Sequence, residues 1–294
     1  MKIGNYIVDI IETCKFSLDG GAMFGVVPKN LWSKAYPHFD DQNRIDMSAR
    51  ALLIRGNGKT ILVDSGCGHK MPDKLNKIYN LDYSEYTLKN ELKKKGVDPQ
   101  DVTDFIYTHL HFDHAGGSTF LNDKGEVEPM FPNAKHYVQT EQLKWARNPS
   151  DKDRASFMQD NWEPVISWGL IEELEGISEV LPGIEVRPLY GHTQAMQIVI
   201  IKDTNQINNS NNGLVYCADL IPTSAHLSLP YIMGYDNFPL TTLDEKKFFI
   251  REAFENNWLL CFEHDPYTQA ISLSHSEKGF SIHEKVEIND NNLS

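Results

Sequence analysis

Basic residues are the scarce class in this chain: 28 Lys and Arg stand against 41 Asp and Glu in 294 residues, a formal charge of -13 and a pI near 5.3. A surface of that sign repels nucleic-acid backbones and anionic lipid, so neither is expected as a partner. Long apolar runs are missing too; no stretch approaches the roughly 20 residues that span a bilayer. The first fifteen residues carry Asp9 and Glu12 where a signal peptide would need a basic start and an unbroken apolar run. A cytoplasmic location is therefore expected. Cysteine is sparse: Cys14, Cys67, Cys217 and Cys261 show no paired spacing, which favours reduced core thiols over a disulfide framework. There is no internal repeat and no linker. With 40% apolar and 23% charged residues, the chain suits a single globular domain over 1–294, as a monomer or homodimer.

What the sequence does have is concentrated in Thr108-His109-Leu110-His111-Phe112-Asp113-His114-Ala115-Gly116-Gly117. Four potential metal ligands fall within six positions, just after an apolar segment, 105–107, that reads as a buried strand. His109 and His111 are two apart on a chain leaving that strand and can face one way. Asp113 and His114 lie on the next turn and can reach a second ion, while Gly116 and Gly117 allow a tight turn beneath. Neutral imidazoles with carboxylates suit zinc, and manganese, iron or cobalt can take the same geometry. A lone histidine on an apolar face is usually a core residue; three with an aspartate at this spacing make a metal site.

The His-x-His-x-Asp-His run resembles the signature of the metallo-β-lactamase superfamily, and the resemblance extends over most of the chain. Members carry three later ligands, for which this sequence offers Gly191-His192-Thr193, Tyr216-Cys217-Ala218-Asp219 and Phe262-Glu263-His264-Asp265. Each follows a strand-like stretch, at 184–189, 214–217 and 258–262. The resemblance implies that His109, His111 and His192 hold one ion, that Asp113, His114 and His264 hold a second, and that Asp219 bridges them. It also implies that Asp64, at the end of Ile61-Leu62-Val63, lies behind the metals and orients a ligand. The other histidines, including His226, lack such placement. The fold implied is α/β: a four-layer αβ/βα sandwich with two mixed sheets face to face and helices outside.

Several further elements can be read from pattern. Residues 3–16 form a first strand, 48–55 and 60–63 a hairpin about Gly56-Asn57-Gly58, and 84–95 a helix closed by Gly96. Asp98-Pro99-Gln100-Asp101 starts a short helix. A helical insertion around 126–175 covers the site, with Thr140 and Ser150 as caps and Pro164 as a stop or kink. Asn-rich 205–213 makes a hairpin tip between strands 196–202 and 214–217. Thr242-Leu243-Asp244-Glu245 is a capping box opening a helix that buries Phe249, Ile250, Ala253 and Phe254. Residues 18–32, with three glycines, are too broken for regular structure.

That last run resembles the N-terminal loop of the N-acyl homoserine lactonase branch, which places Met23 and Phe24 in the substrate-pocket wall. The implied activity is opening of lactones or related esters by a hydroxide shared between two divalent cations, with Asp113 carrying the proton to the leaving group. In that branch a Tyr often stands three residues after the bridging Asp. Here Pro222 does, leaving His226 or Tyr231 as the donor. A phosphotriester or phosphodiester hydrolase would use the same ligands and is the main rival. A non-catalytic metal-binding module would show eroded ligands, and all seven positions are filled.

Overall fold

The computed structural model describes residues 1–204 and 211–289. The first sheet runs β1 (Lys2–Ile3), β2 (Tyr6–Asp19), β3 (Arg44–Gly56), β4 (Lys59–Val63) and β5 (Asp104–Ile106). A two-stranded ribbon of β6 (Thr119–Leu121) and β7 (Val127–Pro129) intervenes before β8 (Lys135–Gln139) and β9 (Ile171–Leu174) complete that sheet. The second sheet takes β10 (Ser178–Leu181), β11 (Ile184–Leu189), β12 (Met196–Lys202), β13 (Gly213–Tyr216), β14 (Trp258–Cys261), β15 (Ala270–Ser276) and β16 (Gly279–Val286) in order. Both sheets are mixed, since β4, β5, β8 and β9 pair in parallel, as do β13 and β14.

The central strands are apolar on both faces, and the period of two sorts the faces into layers. Leu52 and Ile54 of β3 meet Val199 and Ile201 of β12 in the core between the sheets. Ala51 and Leu53 turn the other way, onto Leu88 and Leu92 of the 88–94 helix and Leu143 of the 140–147 helix. Ile198 and Ile200 pack on Phe249, Ile250 and Ala253 of the helix Pro239–Glu255. These are the four layers of the αβ/βα sandwich. All four cysteines are buried as free thiols, and no helix among the described residues is long and apolar enough to cross a membrane.

Local expectations were corrected where tertiary partners decided the outcome. Residues 18–32 are not irregular: Gly20–Phe24 and Lys29–Ala35 are short helices, the first capped by the Asp19 carboxylate, which accepts from the Ala22 amide. The first strand breaks at Gly4-Asn5 into β1 and β2 and then runs on to Asp19. The 84–95 helix is shorter, Leu88–Lys94, because Thr87 caps it. Residues 126–175 are not wholly helical, since β8 and β9 extend the first sheet and leave short helices at Thr140–Arg147 and Glu163–Ser167. Thr140 lies inside its helix, Ser150 bonds Asp153 and caps no α-helix, and Pro164 sits in the first turn of a helix, where its missing N–H costs nothing. The helix expected at Thr242 starts at Pro239, which frees Glu245 for another use, and Phe254 is 38% exposed. Most of the 205–213 tip lies outside the described residues.

Candidate metal centre

Parallel pairing puts the ends of β4 and β5 on one edge, and likewise those of β13 and β14. Asp64 follows β4 directly, and His109, Asp219 and His264 each come three residues after β5, β13 and β14. Hydrogen bonds lash these strand ends across the two sheets. Gln197 of β12 donates through its side chain to the Tyr107 carbonyl at 2.7 Å and through its amide to that of Thr108 at 2.8 Å. The Ser48 carbonyl of β3 holds His264 Nδ1 at 2.9 Å. Gly116 has an ordinary helical φ, so its role is close approach: a Cβ there would lie 2.1 Å from the Cys67 carbonyl oxygen.

The seven sequence-derived ligands converge into two groups. His109, His111, His192 and Asp219 each present an atom within 4.8 Å of the others, and so do Asp113, His114 and His264. In the first group His111 Nδ1 lies 3.0 Å from His109 Nε2 and 3.2 Å from His192 Nε2. In the second, the Nε2 atoms of His114 and His264 are 3.2 Å apart, and Asp113 Oδ2 lies 3.9 and 3.7 Å from them. Asp219 joins the groups, with Oδ2 3.1 Å from His192 Nε2 and Oδ1 3.2 Å from His264 Nε2.

These contacts fit divalent ions. Ring nitrogens this close cannot all be proton donors, and facing lone pairs repel unless a cation sits among them. Ligand nitrogens about 2.0–2.1 Å from a tetrahedral zinc stand roughly 3.3–3.4 Å apart, close to the spacings found. Burial and the neighbouring imidazoles hold His109 and His111 well below the ordinary histidine range, so both offer lone pairs at neutral pH. Burial also pushes His192 and His264 down, but Asp219, helped by Asp236 and Glu263 respectively, outweighs it and brings both to about 9. Asp219 would be raised by burial yet is held well below the carboxylate range by His192, His114 and His264. Without ions the carboxylates thus recruit protons onto the imidazoles, and bound cations would take their place.

The rings of His114, His192 and His264 are each aimed by a partner behind them, whereas His111 Nε2 is buried without one among the described residues. Asp64, held in the left-handed region at φ 56°, accepts from the Thr108 amide at 2.8 Å and hydroxyl at 2.6 Å and lies 3.1 Å from His114 Nδ1. Three partners escaped the sequence reading. Glu263 Oε2 lies 2.8 Å from the same His114 Nδ1, with burial pushing Glu263 up to about 8. Asp236 Oδ1 lies 2.9 Å from His192 Nδ1. Glu245 accepts from the Tyr190 and Gly191 amides at 2.7 and 3.0 Å and so fixes the turn that delivers His192. Glu263 was detectable as an acid beside a ligand, whereas nothing local marks Asp236.

The cluster of imidazoles and carboxylates floors a cavity of about 180 Å³. Asp113 lines it, and its apolar wall includes Leu18, Met23, Met47, Phe112 and Met233. Met23 lines the cavity, whereas Phe24, His226 and Tyr231 do not. Phe24 is fully buried, stacked between Trp32 and His226 at 5.0 and 4.7 Å. His226 is committed to the Met23 carbonyl through Nε2 and to the Thr223 hydroxyl through Nδ1. Tyr231 packs edge-on against Phe24. The polar groups that do line the cavity are Tyr79, Tyr235, Lys152, Asp153 and Ser156. Neither tyrosine hydroxyl is hydrogen-bonded among the described residues.

Fold and site together define a metallo-β-lactamase-type protein, and the comparison agrees: the metallo-beta-lactamase superfamily model matches residues 45–241, and the chain belongs to that family. An N-acyl homoserine lactonase of Bacillus sp. is 30% identical over 113 residues, only 38% of this chain and 38% of its own length. N-acyl homoserine lactonase AiiB of Agrobacterium fabrum is 25% identical over 249 residues, 80% of this chain and 86% of its own. Among solved structures, a probable metal-dependent hydrolase from Staphylococcus aureus superposes with a TM-score of 0.86 at 27% identity, covering 97% of this chain and 98% of its own. Its similar proteins are hydrolases and lactonases of this superfamily.

Proposed function

We propose that the chain is a dinuclear hydrolase that opens lactones or related carboxylic esters, with N-acyl homoserine lactones as the preferred substrates and zinc as the metal. The observation that carries this reading is the placement of two ligand groups sharing Asp219 at the floor of a mostly apolar cavity. When bound, two divalent cations would polarise an acyl oxygen and lower the pKa of water toward neutrality. Asp113 is the proton carrier. Its carboxylate lines the cavity and makes no hydrogen bond among the described residues, so it is free to take a proton from the attacking water and deliver it to the leaving alkoxide.

Tyr79 is placed to donate to a substrate oxygen. Its ring stacks on Phe112, the neighbour of Asp113, at 4.7 Å, and burial followed by the Asp113 charge raises its hydroxyl, keeping it a donor. Met23, Met47 and Met233 offer a deformable wall to an acyl chain. Lys152 donates to the Tyr235 carbonyl at 2.5 Å and Asn237 to Asp153 Oδ2 at 2.6 Å, closing the cavity by tying residues 152–153 to 235–237.

The test is turnover of N-hexanoyl homoserine lactone by metal-loaded protein beside paraoxon and bis-p-nitrophenyl phosphate. The lactone is expected to have the highest kcat/KM. Phosphoester turnover above lactone turnover would overturn the assignment.

A further inference from the structure

Behind the metal-binding loop lies a second cavity of about 350 Å³, bounded in part by Ser65, Gly68 and Gly117. Among the described residues no acidic side chain lines it, although the chain carries 41 acids against 28 Lys and Arg. Three basic ones do: His69, Lys70 and Lys89. Lys70 Nζ donates to the carbonyls of Gly116 and Thr119 at 2.6 and 2.9 Å, which leaves one of its three protons uncommitted. Lys89 Nζ sits 4.6 Å from the centre of the Phe120 ring. Among the described residues neither lysine has a carboxylate within ion-pair distance, whereas the buried ends of Asp9 and Asp104 each draw a lysine elsewhere in the fold.

His69 packs on Tyr83 at 4.2 Å, and its charged form is opposed by burial, Lys70 and Lys89, with no acid acting on it. The two ammonium groups beside the recess repel one another, with Asp160 the acid that acts on Lys70, and a bound anion relieves that repulsion. The remaining wall is mixed, with an apolar side from Leu88, Phe120, Leu121 and Met130 and uncharged polar groups such as Thr13, Thr87 and Asn90. The volume exceeds what an inorganic ion fills and lies in the range of small-molecule sites.

We propose that this cavity is a binding site for a small organic anion, a carboxylate or phosphate monoester with a short apolar body, held by Lys70, Lys89 and His69. The site is separate from the metal centre and does not depend on which ester the centre cleaves. Lys70 is also tied to the carbonyl of Gly116, two residues after His114, so an occupant would bear on the loop that carries Asp113 and His114.

The experiment is calorimetric titration of metal-loaded protein with hexanoate, hexyl phosphate and 1-hexanol, repeated on Lys89→Met and Lys70→Met. At least one of the two anions is expected to bind with a Kd below about 5 mM and at least about tenfold more tightly than hexanol. The better headgroup tells carboxylate from phosphate. Lys89→Met should weaken that anion at least about fivefold while metal content and lactone turnover stay unchanged. Equal binding of hexanol, no anion binding below about 10 mM, or an affinity unchanged in both variants would overturn the proposal, the last because the anion would then sit on the metals.

Discussion

Replacing Asp236 by asparagine isolates the contribution of a group that touches no ion. His192 faces the cluster through Nε2, and it offers a lone pair there only when its proton sits on Nδ1. Asp236 Oδ1 stands 2.9 Å from that Nδ1 and is 3% exposed, so a buried negative charge both fixes the tautomer and makes the ring a stronger donor. Asparagine keeps the shape and one acceptor but removes the charge. Partners of this kind are worth about 10- to 100-fold in metal affinity, or roughly 1.4–2.7 kcal/mol. Only the ion held by His109, His111 and His192 should feel the full loss, because the other group is aimed by Asp64, Glu263 and the Ser48 carbonyl. Competition with a chromophoric chelator resolves the two affinities. Asp236→Asn is expected to weaken one ion 10- to 100-fold and leave the other within about twofold. Equal affinities in the variant and the parent would refute the claim that Asp236 orients His192.

Tyr79→Phe should lower kcat/KM for the lactone about two- to twelvefold, the worth of one neutral hydrogen bond, with metal content unchanged; an unaltered rate would remove Tyr79 from substrate binding. Arg50→Met should destabilise the fold by about 2–4 kcal/mol in urea unfolding, since it leaves two buried carbonyls and the half-buried Glu12 carboxylate without their donor. Arg50 is 1% exposed, pairs with Glu12 at 2.6 Å, and donates to the carbonyls of Phe262 and Asp265 beside His264. A loss under about 1 kcal/mol would mean those carbonyls find other donors.

In chelator-treated protein, His192 and His264 sit at about 9 against an unfolded value near 6.5, so the stability they add is complete below pH 6.5 and lost as pH rises through 9. Its melting temperature should therefore fall between pH 6.5 and 9.5, and adding metal at pH 7 should release protons. A melting temperature that rises over that range, or loading without proton release, would contradict the charge balance assigned to the site.

The dense His109–His114 cluster was legible by itself after an apolar stretch, while His192, Asp219, His264 and Asp64 were legible through the superfamily resemblance, with the strand-like stretches before them as the local check. Asp236, Glu245 and the Ser48 carbonyl were not, because each acts across the fold on a residue at least 44 positions away. The misread segments share a cause. Gly20 and Gly21 suggested a loop, yet Asp19 supplied the cap that a helix needs. Pro164 suggests a breaker, yet its place in the first turn makes it a starter. Glu245 fits a capping box in sequence but bonds the turn before His192. Phe24 and His226 looked like pocket residues from their loops, and only packing shows them behind the wall.

The central claim is that seven side chains hold two ions around a shared Asp219. Metal analysis of purified, metal-reconstituted protein by mass spectrometry tests it most directly, with Asp219→Ala and His264→Ala beside the parent. The account predicts two divalent ions per parent chain, fewer than one in Asp219→Ala and about one in His264→Ala, each variant remaining folded. One ion or none in the parent, or two retained without Asp219, would contradict it.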